Sequence, residues 1–163
     1  QAFDAAGFEV WVTDVDADCL ASCPAHWGKS QVDASNEAQV AELFAEITAQ
    51  WGELDALCAN AGIAGPNAAV EDIKIEDWQC CVSVNLEGAF LAAKYGGPIL
   101  KAAHGSIVLT SSTAGLYGFP NRAPYAAAKW GIIGLMKTLA MEWGPEGVRA
   151  NAICPGAVEG HRM

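Results

Sequence analysis

The chain has 163 residues, 52% of them hydrophobic and 17% charged, enough apolar material to bury one domain-sized core and too apolar for a disordered chain. Nine Lys and Arg stand against 19 Asp and Glu, a formal net charge of −10, which argues against a nucleic-acid partner and an anionic membrane surface because both need a basic face. No apolar run reaches the roughly 18 residues of a membrane span, and no basic segment followed by an apolar one forms a secretion signal, so the expected location is the cytoplasm.

Gln1 to Ala6 reads as the tail of a helix ended by Gly7, the residue type that closes helices in the left-handed conformation. Phe8 to Thr13 (FEVWVT) is rich in β-branched and aromatic residues and predicts a strand ending at Asp14. A weaker strand is expected up to Val32, just before Asp33. Ser35 is the expected N-cap of the next helix, with Glu37 in its first turn, where the helix dipole favours a carboxylate. Val40, Leu43, Phe44, Ile47 and Trp51 recur at helical spacing, and Gly52 ends the run. Leu54 to Ala59 (LDALCA) predicts a short buried strand, followed by a turn at Asn60-Ala61-Gly62.

A long helical stretch is expected from Ile75 to Ala103, bent or interrupted at Gly96-Gly97-Pro98. Asn85 lies inside it between Val84 and Leu86; a buried Asn needs its hydrogen bonds met, so it breaks the helix or holds water. Ser106 to Thr110 (SIVLT) predicts a strand. A helix starts near Pro124 and runs to about Trp143, where Gly144-Pro145 stops it, and Val148 to Ile153 is the last strand. Strands alternating with helices, several of them continuous apolar runs, predict one α/β domain over residues 1–163: a parallel sheet with helices on both faces. The six cysteines, Cys19, Cys23, Cys58, Cys80, Cys81 and Cys154, read as small core side chains. Cys19, Cys23 and His26 offer too few ligands at unsuitable spacing for zinc, so no metal is expected.

The strongest chemical signal is Tyr125-Ala-Ala-Ala-Lys129, spaced i and i+4 and hence on one helix face. A phenol is a poor base at neutral pH, and an ammonium beside it favours the phenolate, which suits proton exchange with an alcohol or ketone. Ser112 lies 13 residues earlier, just past a strand end, where open parallel sheets bind ligands; as part of Ser111-Ser112-Thr113 it also reads as an ordinary polar turn. Asp14, at the end of the first strand, suits the two hydroxyls of an adenosine ribose and would repel a 2′-phosphate, or is a plain surface carboxylate. Asp33 holds the corresponding place after the next strand, and Pro155-Gly156 follows the last one.

Taken together, Asp14, Asp33, N-A-G at 60–62, Asn85, Ser112, Y-A-A-A-K at 125–129 and N-A-I-C-P-G at 151–156 resemble the short-chain dehydrogenases/reductases, in the branch of single-domain alcohol, sugar and 3-oxoacyl reductases. The resemblance implies an incomplete Rossmann-like fold and a hydride exchange between NAD and a secondary alcohol or ketone, with NADP the less favoured cofactor. It implies that Tyr125 is the acid/base, Lys129 supports it and binds the nicotinamide ribose, Ser112 positions the substrate oxygen and Asn85 holds a relay water. Asp14 would select NAD, Asp33 contact adenine, Asn60, Ala61 and Gly62 the adenosine side, and Pro155 and Gly156 the nicotinamide side. Family members pair the helices holding Asn85 and Tyr125 across a two-fold axis, which implies a homo-oligomer.

The family's T-G-x-x-x-G-x-G phosphate loop does not occur in these 163 residues, and counting back from Asp14 puts it upstream of Gln1. The expectation is an internal fragment, without the first and last strands of the sheet and inactive alone. Two alternatives stay open: a non-catalytic piece or interaction module, and an isomerase or dehydratase of the same superfamily.

Overall fold

The structure is a computed structural model in which residues 1–158 are described. Its elements follow the chain as α1 (Ala2–Ala5), β1 (Trp11–Asp14), α2 (Ala17–Ala21), β2 (Gly28–Gln31), α3 (Glu37–Trp51) and β3 (Ala56–Ala59). Then come α4 (Ile75–Val82), a π-helical turn (Ser83–Glu87), α5 (Gly88–Ala102), β4 (Ser106–Thr110), α6 (Ala123–Trp143) and β5 (Arg149–Ile153). Every strand pairing is parallel. β1 pairs with β2, with Trp11 opposite Gly28 and Asp14 opposite Gln31. β3, β4 and β5 form a second sheet in that order, with Ala56 opposite Ser106 and Ser106 opposite Arg149. Among the described residues β1 and β3 share no ladder, so the sheet is split between the strands that end at Asp14 and Ala59, which is where the resemblance implies the family's first strand.

Two apolar clusters hold these pieces. Ile107 and Leu109 alternate inward from β4 and pack with Ala89, Ala93 and Leu100 of α5 and Ile132, Leu139 and Trp143 of α6. Val40, Leu43, Phe44 and Ile47, the apolar stripe of α3, pack with Leu91 and Ile99 of α5. Trp11 of β1 and Leu57 of β3 both lie against this second cluster, so α3 spans the two sheets. The Trp11 ring meets that of Trp51 edge-on at 5.5 Å, and its indole N–H donates to Ser30 Oγ at 3.0 Å, which ties β1 to α3 and β2.

Several boundaries differ from expectation, each for a local reason. The first strand starts at Trp11 rather than Phe8, because Phe8 turns back onto Phe3, ring against ring at 5.7 Å. The second strand stops at Gln31 and the third begins only at Ala56, while Val148 lies before the last strand, buried in the core. The N-cap of α3 is Asn36, whose side chain accepts from the Gln39 N–H; the Ser35 hydroxyl donates instead to Asp33. The long helical stretch runs unbroken through Gly96-Gly97-Pro98 and is interrupted at Ser83–Glu87, around Asn85. The two glycines are there for close approach: a Cβ on Gly96 would lie 2.7 Å from Leu57 and 2.8 Å from Phe44, and one on Gly97 3.0 Å from Trp143.

Candidate active site

The site is assembled where β3, β4 and β5 end. At the end of β4 the chain leaves the sheet, with Ser111 N–H on the Ile153 carbonyl and Thr113 N–H on the Pro155 carbonyl at 3.0 Å. Ser112 therefore sits beside Pro155 and Gly156, at the start of a 3₁₀ turn over Thr113–Gly115. Its Oγ accepts from the Ala114 N–H at 3.2 Å, which leaves the hydroxyl proton to donate elsewhere.

Helix α6 opens at Ala123 with Pro124 in its first turn, where a missing N–H costs nothing. This places Tyr125 half-buried and Lys129 one turn on, only 4% exposed. Lys129 Nζ lies 5.6 Å from the centre of the Tyr125 ring and donates to the Thr110 carbonyl at 2.8 Å. Burial holds the Lys129 ammonium below the usual lysine range. Thr110 in turn donates through Oγ1 to Asn60 Oδ1 at 3.0 Å, so the ends of β3 and β4 and the second turn of α6 are joined by one polar chain.

Asn85 is 1% exposed. The π-helical turn carries one more residue per turn than its flanks, and here Asn85 Nδ2 reaches back to the Cys81 carbonyl at 2.8 Å and across to the Ile63 carbonyl at 2.9 Å. These two acceptors orient the amide, so that Oδ1 points the other way. Among the described residues Oδ1 is buried without a hydrogen-bond partner. A Cβ on Gly62 would lie 2.6 Å from that oxygen and 3.5 Å from Lys129 Nζ, so any larger residue at 62 would fill the space beside both. A buried acceptor next to an ammonium, screened only by a glycine, fits a ribose hydroxyl or an ordered water.

Asp14 and Asp33 lie together at the ends of β1 and β2, where Val32 N–H meets the Asp14 carbonyl. One Asp14 oxygen accepts from the Asp16 N–H at 3.0 Å. Lys29 turns its ammonium to the Cys23 carbonyl, and Gln31, opposite Asp14, donates to the Val15 carbonyl. Asp33 accepts from the hydroxyl and the N–H of Ser35 at 2.6 and 2.9 Å, which hold its carboxyl below the usual range. Cys19 Sγ donates to Asp16, Cys23 Sγ to the Cys19 carbonyl, and His26 pairs with Asp4 at 2.8 Å. Among the described residues no three His, Cys, Asp or Glu side chains gather as a metal site, and no helix is long and apolar enough to cross a membrane.

Residues 1–162 match the family described as enoyl-(acyl carrier protein) reductase, on a fold that carries the Ser112, Tyr125 and Lys129 arrangement at its strand ends. The chain belongs to the short-chain dehydrogenase/reductase family. It is 49% identical over 110 residues to the trans-4-hydroxycyclohexanecarboxylate dehydrogenase of Sinomonas cyclohexanicum, covering 68% of this chain and 42% of that protein. Among solved structures it superposes on NAD⁺-bound xylitol dehydrogenase with a TM-score of 0.87 at 30% identity, covering 91% of this chain and 60% of that one. NADP-bound ElxO gives a TM-score of 0.89 at 29% identity, with 97% and 67% covered. The matched stretch spans less than half the length of the first two curated relatives, 42% and 46%. The fold is Rossmann-like α/β, as expected.

Three contributors to the site of this short-chain dehydrogenase/reductase were not singled out from the sequence for the parts they play. Ser111, 2% exposed, donates its hydroxyl to the Lys129 backbone carbonyl at 2.8 Å and locks α6 onto the end of β4. Arg122 Nη1 donates to the Ala64 and Gly65 carbonyls at 3.2 and 3.0 Å. Cys81, fully buried, lies under Asn85 and under Gly65, where a Cβ would sit 2.6 Å from its sulfur. Gly65 and Asn121, which lie at the contacts of Cys81 and beside Arg122, take positive φ at +67° and +62°, as their residue types tolerate.

Proposed function

We propose that the whole protein exchanges a hydride between NAD and a secondary alcohol or ketone. The observation that carries this reading is that Lys129 Nζ lies between the Tyr125 ring, 5.6 Å away, and the place beside Gly62 where the unpartnered Asn85 Oδ1 also points. The names of similar proteins support it: a hydroxycyclohexanecarboxylate dehydrogenase, a cyclohexanol dehydrogenase and a xylitol dehydrogenase. When bound, the nicotinamide accepts or supplies the hydride. Tyr125 takes the proton from the alcohol oxygen or returns it to the ketone oxygen. Ser112 donates a hydrogen bond from its hydroxyl to that same oxygen and stabilises charge that builds there. Lys129 is the counter-charge to the phenolate that Tyr125 becomes, and Asn85 Oδ1 holds a water that hands protons on.

Asp14 would bind the adenosine ribose and Asp33 the adenine edge, with Asn60, Ala61 and Gly62 along the adenosine side, Tyr125 and Lys129 on the nicotinamide ribose, and Pro155 and Gly156 on the nicotinamide side. Similar structures hold either NAD⁺ or NADP. The preference for NAD rests on the Asp14 carboxylate, which has Gln31 as its cross-strand neighbour and would repel a 2′-phosphate. In the full-length protein, kcat/KM for NAD⁺ should exceed that for NADP⁺, and Asp14→Ala should erode the difference. Equal values in the unmodified protein would overturn the assignment.

The acidic surface makes a cytoplasmic, small-molecule enzyme with no nucleic-acid or membrane partner the consistent reading. Phe90 on α5 and Trp130 and Met141 on α6 are exposed, at 49%, 51% and 81%. They support an isologous pairing of these helices in a homo-oligomer. Sedimentation velocity of the full-length protein should give a dimer or tetramer; a monomer at micromolar concentration contradicts it.

A further inference from the structure

Arg122 is the only charged residue between Lys101 and Lys129. Hydride exchange with proton transfer at Tyr125, the proposed function on which any role for Arg122 rests, leaves this residue without a part in the chemistry. A cation three residues before the acid/base tyrosine invites the assignment of an anion receptor for a carboxylated substrate. Its geometry says otherwise. Nη1 bridges two consecutive carbonyls, Ala64 and Gly65, at 3.2 and 3.0 Å. The neighbouring Asn121, in the left-handed region at φ +62°, offers its own carbonyl to the Ala68 N–H at 3.0 Å. The start of α6 thus grips the segment that follows β3 at two points.

That segment is also what orients Asn85. Asn85 Nδ2 donates to the Ile63 carbonyl, one residue before the Arg122 grip, and Gly62 lies against Asn85 Oδ1. Gly65 closes over the Cys81 sulfur, and the Cys81 carbonyl is the second acceptor that holds the same amide. We propose that Arg122 is a positioning residue: by clamping the Ala64 and Gly65 carbonyls it holds the Gly62–Gly65 segment against Asn85 and Cys81, and so sets the direction of Asn85 Oδ1. A charge-assisted donor shared by two carbonyls suits this task, since neutral bonds to a loop of small residues would give way more easily. The loop itself, Gly62-Ile63-Ala64-Gly65-Pro66, has no side chain that could anchor it by hydrogen bonds.

The test uses the full-length protein and compares Arg122→Ala with the unmodified chain on a neutral alcohol, cyclohexanol, and a charged one, trans-4-hydroxycyclohexanecarboxylate. The clamp predicts that kcat falls about tenfold on both substrates while each KM stays within about twofold, because displacement of a supporting group costs rate rather than binding. It also predicts faster alkylation of Cys81 by iodoacetamide, read by peptide mass spectrometry against exposed Cys80, since release of Gly65 uncovers the sulfur. Arg122→Lys, which keeps the charge on a shorter donor, should fall between the two in both readouts, and it carries the comparison if Arg122→Ala does not fold. A KM increase confined to the carboxylated alcohol would make Arg122 a substrate receptor and overturn the proposal. Unchanged kcat with unchanged Cys81 labelling in either variant would also overturn it. If the unmodified protein oxidises neither alcohol and reduces neither corresponding ketone, the functional reading fails separately; the Cys81 labelling rate then decides the clamp by itself, a rise supporting it and no change refuting it.

Discussion

The proposed chemistry rests on a few side chains whose polar ends are committed in advance. Lys129 spends one donor on the Thr110 carbonyl, and its own backbone carbonyl receives the Ser111 hydroxyl. The side chain therefore cannot swing away from the Tyr125 ring without breaking a buried bond, which typically costs about 1–3 kcal/mol per orphaned group. Tyr125 is less confined, half-buried with its ring tilted against Phe119 at 6.5 Å. Removing only its hydroxyl should leave this packing intact. In the full-length protein Tyr125→Phe should lower kcat by about 10²-fold or more while KM moves little, as expected for loss of an acid/base group. Normal turnover by that variant, measured by steady-state kinetics, would mean that another group moves the proton.

At the scale of elements, the helices owe their placement to where bulk is absent. Gly96 admits Leu57 of β3 and Phe44 of α3 into the surface of α5, and Gly97 admits Trp143 of α6. Gly96→Ala would force a methyl to within 2.7 Å of Leu57, and overpacking of this kind typically costs about 1–3 kcal/mol. The urea midpoint of the full-length protein should fall accordingly with an unchanged m-value; an unchanged midpoint would show that Phe44 and Leu57 yield without cost. The same pair of glycines shows what a sequence conceals. Gly-Gly-Pro has the composition of a break, and nothing local distinguishes it from a helix interior whose neighbours demand small residues. The reverse holds at Ser83–Glu87, where ordinary helix formers surround the real irregularity and only Asn85, polar among apolar neighbours, marks the spot. The α3 stripe, the SIVLT strand and the Pro124 helix start were legible because periodicity and capping are local. Ser35 and Asn36 are both good caps, and the choice fell to Asn36 because Asp33 engages the Ser35 hydroxyl. The partnerships of Ser111, Arg122 and Cys81 join residues from about 15 to nearly 60 positions apart, apart from the Cys81–Asn85 contact, and no local pattern encodes them.

For the whole molecule the decisive feature is the break between β1 and β3. Among the described residues each strand keeps one edge without a ladder partner, and Trp11 and Leu57 on these strands pack against the α3–α5 cluster. Backbone edges of this kind are templates for pairing with other chains. The 163-residue chain expressed alone should therefore associate through β-structure and unfold without a single cooperative transition. The net charge of −10 should also work against its binding of an anionic dinucleotide. Urea unfolding followed by circular dichroism, with NADH titrated by fluorescence, checks both expectations. A sharp transition together with micromolar binding would show that the two sheets make a self-sufficient unit.

The π-helical turn at Ser83–Glu87 also acts on the phase of the helices it joins. Each residue advances a helix by about 100°, so the extra residue in this turn sets the faces of α4 and α5 out of step by about that angle. α5 can then keep Ala89, Ala93 and Leu100 against the sheet and α6 while Cys81, one turn before Asn85, still faces the segment after β3. The irregularity works as a gear offset between α4 and α5, and Asn85 sits at the tooth where the offset is made.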